Sequence, residues 1–175
     1  GTGDGPVYTL GRTPTPIAKF EEGLRTMREL FQGRPVEFPP GKVGLEIGKL
    51  PVTLYASVEG PLGLRAAGRF ADGVILGSGF DLRVLQWARE KIAQGAAEAG
   101  RSPESIDLLA AGMICVDKDG DRARATVRSR LANRAHHNFR FTLETVPPEE
   151  LPCLKAFMDH FDMSKPLEEK VDPSF

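Results

Sequence analysis

A chain of 175 residues, 41% of them hydrophobic and 27% charged, has the make-up of a globular domain large enough for a core of its own. A formal net charge of −1 excludes a global field for nucleic acid or an anionic membrane. No apolar run reaches the ~18 residues of a membrane span, no basic-plus-apolar leader opens the sequence, and two isolated cysteines, Cys115 and Cys153, read as reduced thiols of a cytoplasmic protein.

The opening GTGDGPVYTLG has the character of a loop that follows a strand, and both this start and the closing EEKVDPSF read as cut ends of a longer chain. Thr13-Pro14-Thr15-Pro16 sets up a helix start. From there Ile17, Phe20, Leu24, Met27, Leu30 and Phe31 form one stripe, and Gly33 closes the helix. Residues 34–50, rich in proline and glycine, predict a loop with room for a short hairpin. Val52–Ala56 is a β-rich run, Leu62–Phe70 a short helix and Gly73–Leu76 a second strand. Leu82–Ala99 predicts a long amphipathic helix with Leu82, Leu85, Ala88, Ile92 and Ala96 along one face, stopped by Gly100. Ile106–Val116 is nearly all apolar, as expected of a strand covered on both faces. A helix from Asp121 toward Arg134 follows, and 135–162 reads as helical with a break at Pro147-Pro148. Strands alternating with helices predict an α/β fold with right-handed crossovers and a parallel sheet.

Two βα loops carry the chemistry. In Ser57-Val58-Glu59-Gly60-Pro61, backbone N–H groups at a strand end run into a helix N-terminus, an arrangement that receives anions. Gly60 admits a ligand close to the backbone, and the Ser57 hydroxyl can donate to a phosphate oxygen. Gly77-Ser78-Gly79 ends the next strand and lines the same mouth. Either loop also reads as an ordinary βα turn. Arg69 reads as a structural ion-pair partner. His136 and His137 diverge by about 100° on a helix and cannot share one metal; His160 has no ligand-spaced partner, so no metal site is expected. Asp117-x-Asp119-Gly120-Asp121 starts like a calcium loop but puts Arg122 and Arg128 where Gly and Glu are required, so these aspartates cap the next helix instead. The arginines of 122–134 make a solvated helix face.

Four stretches together resemble the bacterial-luciferase-like superfamily of (β/α)8 barrels, and within it the deazaflavin-dependent, methylenetetrahydromethanopterin reductase-like branch. They are GTGDGPVYTLGRTPTPIAKFEEGLRTMRELFQG, LYASVEGPLGLRAAGRFADGVILG, REKIAQGAAEAGRSPESIDL and VDKDGDRARATVRSRLA. The resemblance implies a TIM barrel, here an incomplete fragment from the end of the fourth barrel strand through the helices after the seventh, forming a single domain over residues 1–175. Residues 1–134 would supply the family-like βα units and 135–175 a helical insertion or lid. It implies an oxidoreductase using the deazaflavin coenzyme F-420 (F420) for hydride transfer to or from a small organic substrate. Thr2, Gly3, Ser57, Val58, Glu59, Gly60, Pro61, Gly77 and Ser78 would hold the cofactor, and Asp4 would act as acid or base beside the reacting carbon. This chain reads SVEGP where relatives often read AASGP, so Glu59 adds a negative charge to the loop. An FMN-dependent monooxygenase and a non-catalytic binding module are the rival readings; a homodimer without nucleic-acid or membrane partners is expected.

Overall fold

The computed structural model describes Val7, residues 10–139, residues 142–162 and Lys165. The chain divides into two compact units, Gly1–Gly77 with Leu85–Ala110, and Ser78–Val84 with Ala111–Phe175.

The first unit opens on α1 (Ile17–Phe31), which buries Phe20 and Leu24 of the predicted stripe. Gly33 ends it with φ 76°, and a Cβ there would lie 2.8 Å from Lys49 N. The proline-rich stretch folds as the hairpin of β1 (Val36–Phe38) and β2 (Gly41–Val43). Next come β3 (Tyr55–Ser57), α2 (Pro61–Phe70), β4 (Gly73–Leu76), α3 (Leu82–Glu98) and β5 (Asp107–Ala110). The three strands form one parallel sheet in the order β3-β4-β5. Tyr55 stands level with Gly73 and Asp107, and Ser57 with Ile75 and Leu109. The predicted parallel α/β alternation is therefore present, and among the described residues the sheet is open rather than closed into a barrel.

One face of this sheet is sealed. Ala56, Val74 and Leu76 are buried there, as are Leu64, Ala66 and Ala67 of α2 and Ala88, Ile92 and Ala96 of α3. The two helices touch backbone to backbone: a Cβ on Gly68 would fall 2.2 Å from Ile92 O, and one on Gly95 would fall 1.9 Å from Arg65 O. Around that contact Glu98 pairs with both Arg65 and Arg69, and Arg69 also reaches Glu21 of α1, the structural role expected of it. Asp72 accepts from Arg28 at 3.0 Å and from Leu54 N at 2.9 Å, tying α1 to the sheet's entry.

The other face departs from expectation. The apolar run 106–116 is not a long strand covered on both sides: only Asp107–Ala110 is β, and Leu109, Met113, Ile114 and Val116 are exposed. Its ladder stops because β4 ends at Leu76, opposite Ala110, and within this unit the described helices cover one side only. Two smaller corrections concern helix and strand starts. β3 begins at Tyr55 rather than Val52, and Leu82, predicted on the buried stripe, is 72% exposed at the first turn of α3.

The second unit is mainly helical, with α4 (Gly120–Phe139) and α5 (Leu151–His160). Asp119 Oδ1 accepts from Asp121 N at 2.9 Å and Arg122 N at 3.3 Å, the capping role expected of these aspartates. His136 stacks on Phe161 with ring centroids 4.3 Å apart. The described residues hold no cluster of His, Cys, Asp and Glu fit for a metal, and no helix among them is long and apolar enough to cross a membrane.

Candidate functional site

The β3–α2 loop leaves the sheet at the C-terminal ends of the parallel strands. Ser57 is the last residue of β3 and is exposed. Val58 turns inward, its N–H reaching Ile75 O at 3.3 Å and its side chain buried. A Cβ on Gly63 would sit 3.1 Å from Val58 Cβ, so a bare glycine lets the helix start close over that valine. Gly60 is the N-cap of α2, in extended backbone at φ −82°, ψ 157°, with no side-chain cap and Pro61 following at the first position. The first intrahelical bond of this turn runs from Leu64 N to Gly60 O at 3.0 Å. The N–H groups of Leu62 and Gly63 thus have no intrahelical acceptor, and a Cβ on Gly60 would meet nothing within 4 Å. Glu59 is half-buried with Oε2 shut off from solvent. It lies one residue before the N-cap, where the helix dipole favours negative charge.

Gly77 follows β4 at the same edge of the sheet and ends the first of that unit's two segments. Farther down the uncovered face, the Tyr55 hydroxyl donates to Asp107 Oδ2 at 2.6 Å across Gly73. A Cβ on Gly73 would lie 2.2 Å from the Tyr55 ring, so glycine is what lets that ring lie across the middle strand. The bond to Asp107 raises the Tyr55 pKa. Thr2, Gly3 and Asp4, the remaining residues expected at the site, lie outside the described residues.

Ser78 belongs to the second unit and lies in the wall of a cavity of about 290 Å³. Sequence reasoning missed this cavity. Its wall joins the residues after Gly77 to the last turns of α4 and to Thr145-Val146-Pro147. The available signal was Pro147-Pro148, which breaks the helical run and turns the chain back on itself. Within the wall Arg83 donates to Asp81 at 2.8 and 3.2 Å and lies 3.8 Å from Glu150. Asp81 also caps α3 by accepting from Arg83 N at 2.8 Å. The Arg83 guanidinium, then this backbone N–H, hold the Asp81 pKa down to about 2.

Residues 1–154 match the family model described as luciferase-like monooxygenase. Among curated relatives, a 5,10-methylenetetrahydromethanopterin reductase of Archaeoglobus fulgidus is 31% identical over 120 residues, covering 65% of this chain and 35% of the relative. An F420-dependent glucose-6-phosphate dehydrogenase of Nocardia farcinica is 36% identical over 119 residues, covering 64% and 35%. The chain thus spans about a third of the length of these relatives. Among solved structures, the coenzyme F420 dependent tetrahydromethanopterin reductase from Methanopyrus kandleri superposes with a TM-score of 0.55 at 23% identity, over 91% of this chain and 51% of that one. An F420-dependent secondary alcohol dehydrogenase in complex with an F420-acetone adduct gives 0.58 at 24% identity, over 94% and 51%.

Proposed function

The chain belongs to the luciferase-like monooxygenase family, and we propose that it is part of an F420-dependent oxidoreductase acting on a small organic substrate. The observation that carries this is the β3–α2 loop: an uncapped helix N-terminus with open space at Gly60, set at the C-terminal edge of a parallel sheet. That edge is where α/β folds bind their ligands, and the relatives named for their cofactor are named for F420. The residues present fit such a group. Ser57 and the first-turn N–H groups of α2 would take a phosphate, Val58 and Pro61 would shape the loop, and Gly77 would leave room for a ring. The cofactor, when bound, supplies a hydride donor or acceptor at its ring. The protein's own task is to hold it, exclude water and handle a proton, and we assign that proton to Asp4.

In this reading the chain supplies part of a TIM barrel, from the end of the fourth strand through the helices after the seventh, with 135–175 as an insertion or lid. The whole protein would work in the cytoplasm as a homodimer. Glu59 is the departure: it adds a negative charge one residue before the N-cap of α2, next to where a phosphate would bind. Titrating the chain with F420 and, separately, FMN tests the cofactor. Binding of F420 should weaken at least tenfold in Gly60→Val and tighten in Glu59→Ser. Tight FMN binding with no affinity for F420 would move the chain to oxygen-using flavin chemistry, and binding of neither would favour a non-catalytic module.

A further inference from the structure

We infer that the cavity of the second unit is a subsite for an uncharged small molecule bearing a hydroxyl group, and that it disfavours phosphorylated ligands. This rests on the reading of the chain as an oxidoreductase of a small organic substrate, and it names the class.

Three observations carry it. The cavity, about 290 Å³, is at the lower end of the sizes that enclose small organic molecules. Its formal charges cancel: Arg83 and Arg134 line it together with Asp81 and Glu150, and Arg83 donates from two nitrogens to Asp81, with Glu150 at 3.8 Å. A phosphate entering here would meet two carboxylates beside the two arginines, and would have to draw Arg83 away from Asp81. Asn138 supplies the polar contact. It lies in the cavity wall, and its Oδ1 is shut off from solvent and accepts no hydrogen bond from the described residues. A side-chain amide turns readily about its last torsion. A hydroxyl both donates and accepts, so it meets the amide whichever end turns toward it. The rest of the wall includes Val84, Leu131, Phe139, Val146 and Pro147, which suit a hydrocarbon body rather than a polyol.

The test uses the chain without any cofactor, so that failure to bind F420 and failure of this subsite are seen separately. Cyclohexanol, glucose 6-phosphate and inorganic phosphate serve as probes in saturation-transfer NMR. Cyclohexanol should bind and neither phosphate should displace it. Asn138→Ala should weaken cyclohexanol about fivefold to tenfold, the size of one hydrogen bond, and Asn138→Gln should largely restore it. Ala135→Phe, which fills the cavity from another position, should abolish binding and keeps the test decisive if Asn138→Ala does not fold. Displacement by either phosphate, no cyclohexanol binding, or an unchanged affinity in both Asn138→Ala and Ala135→Phe overturns the inference.

Discussion

Replacing Gly95 by alanine reverses the usual sign of a glycine-to-alanine change in a helix. In an exposed helix interior the substitution stabilises by up to ~1 kcal/mol. Here the new Cβ would lie 1.9 Å from Arg65 O, 2.7 Å from Arg65 C and 2.9 Å from Arg65 Cα, all of them backbone atoms that no rotamer change can move. Carbon and carbonyl oxygen rest in contact at about 3.3 Å, so α2 and α3 must part locally by roughly 1.4 Å. Overpacking of this kind costs ~1–3 kcal/mol, with the upper end expected where backbone must shift. Set against the propensity gain, the net is a loss of roughly 1–2 kcal/mol. In urea, with a slope of ~2 kcal/mol per molar, the midpoint followed by far-UV circular dichroism should fall by ~0.5–1 M. Gly23→Ala is the matched control: it lies inside α1 with nothing within 4 Å of its added Cβ, and it should raise stability by ~0.5–1 kcal/mol. A Gly95→Ala midpoint at or above wild type, with unchanged slope, would refute the backbone contact between α2 and α3.

The Tyr55 phenol should ionise at higher pH than free tyrosine in an ultraviolet titration, because its bond to Asp107 holds the neutral form; a raised acid pKa stabilises the fold below ~10 and that contribution is lost as pH rises through the folded value. Asp107→Asn should return the midpoint toward ~10, and no change would show that the bond does not form in solution. Asp81, held down to about 2 by Arg83, contributes at pH above the ordinary ~4 and loses that contribution as pH falls through the folded value. A carboxyl NMR titration of Asp81 with a midpoint near the ordinary ~4 would contradict both the ion pair and the cap at the start of α3, and one insensitive to Arg83→Ala would contradict the ion pair. On the uncovered sheet face, Ile75→Lys with Leu109→Lys should reduce binding of a hydrophobic dye while changing stability by under ~1 kcal/mol, the surface range; a loss of several kcal/mol would mean that the face is covered.

Helices with a strong apolar stripe were legible in the sequence because period and punctuation agreed. Leu82–Ala99 ended where Gly100 predicted, with φ 65°, and α1 was stopped by Gly33. The contact between α2 and α3 was not legible. Gly68 and Gly95 are 27 positions apart in sequence, and each alone reads only as a weak helix residue. Strand length failed for a different reason. The run 106–116 is apolar enough to be covered twice, but a strand extends only as far as its partner does, and β4 gives out at Leu76. Composition reports what a segment can bury, whereas the neighbouring strand decides how much of it is β.

The candidate site divides in the same way. Gly60-Pro61 could be recognised because a helix start needs those residue types locally. Asn138 could not, since its isolation arises only when Ser78–Val84, α4 and Thr145–Pro147 come together. Register then adds what neither loop could state by itself. Ser57 stands opposite Ile75, and Val58 N bonds Ile75 O, so the two strands are in step. Gly60 is three residues past that level on one strand and Gly77 two residues past it on the next. Two glycine-bearing turns chosen separately, on composition, leave the sheet at one edge and nearly one height. Adjacent parallel strands bring their turns to one edge in any case; what is particular here is that both turns carry glycine, which the proposed cofactor site would use.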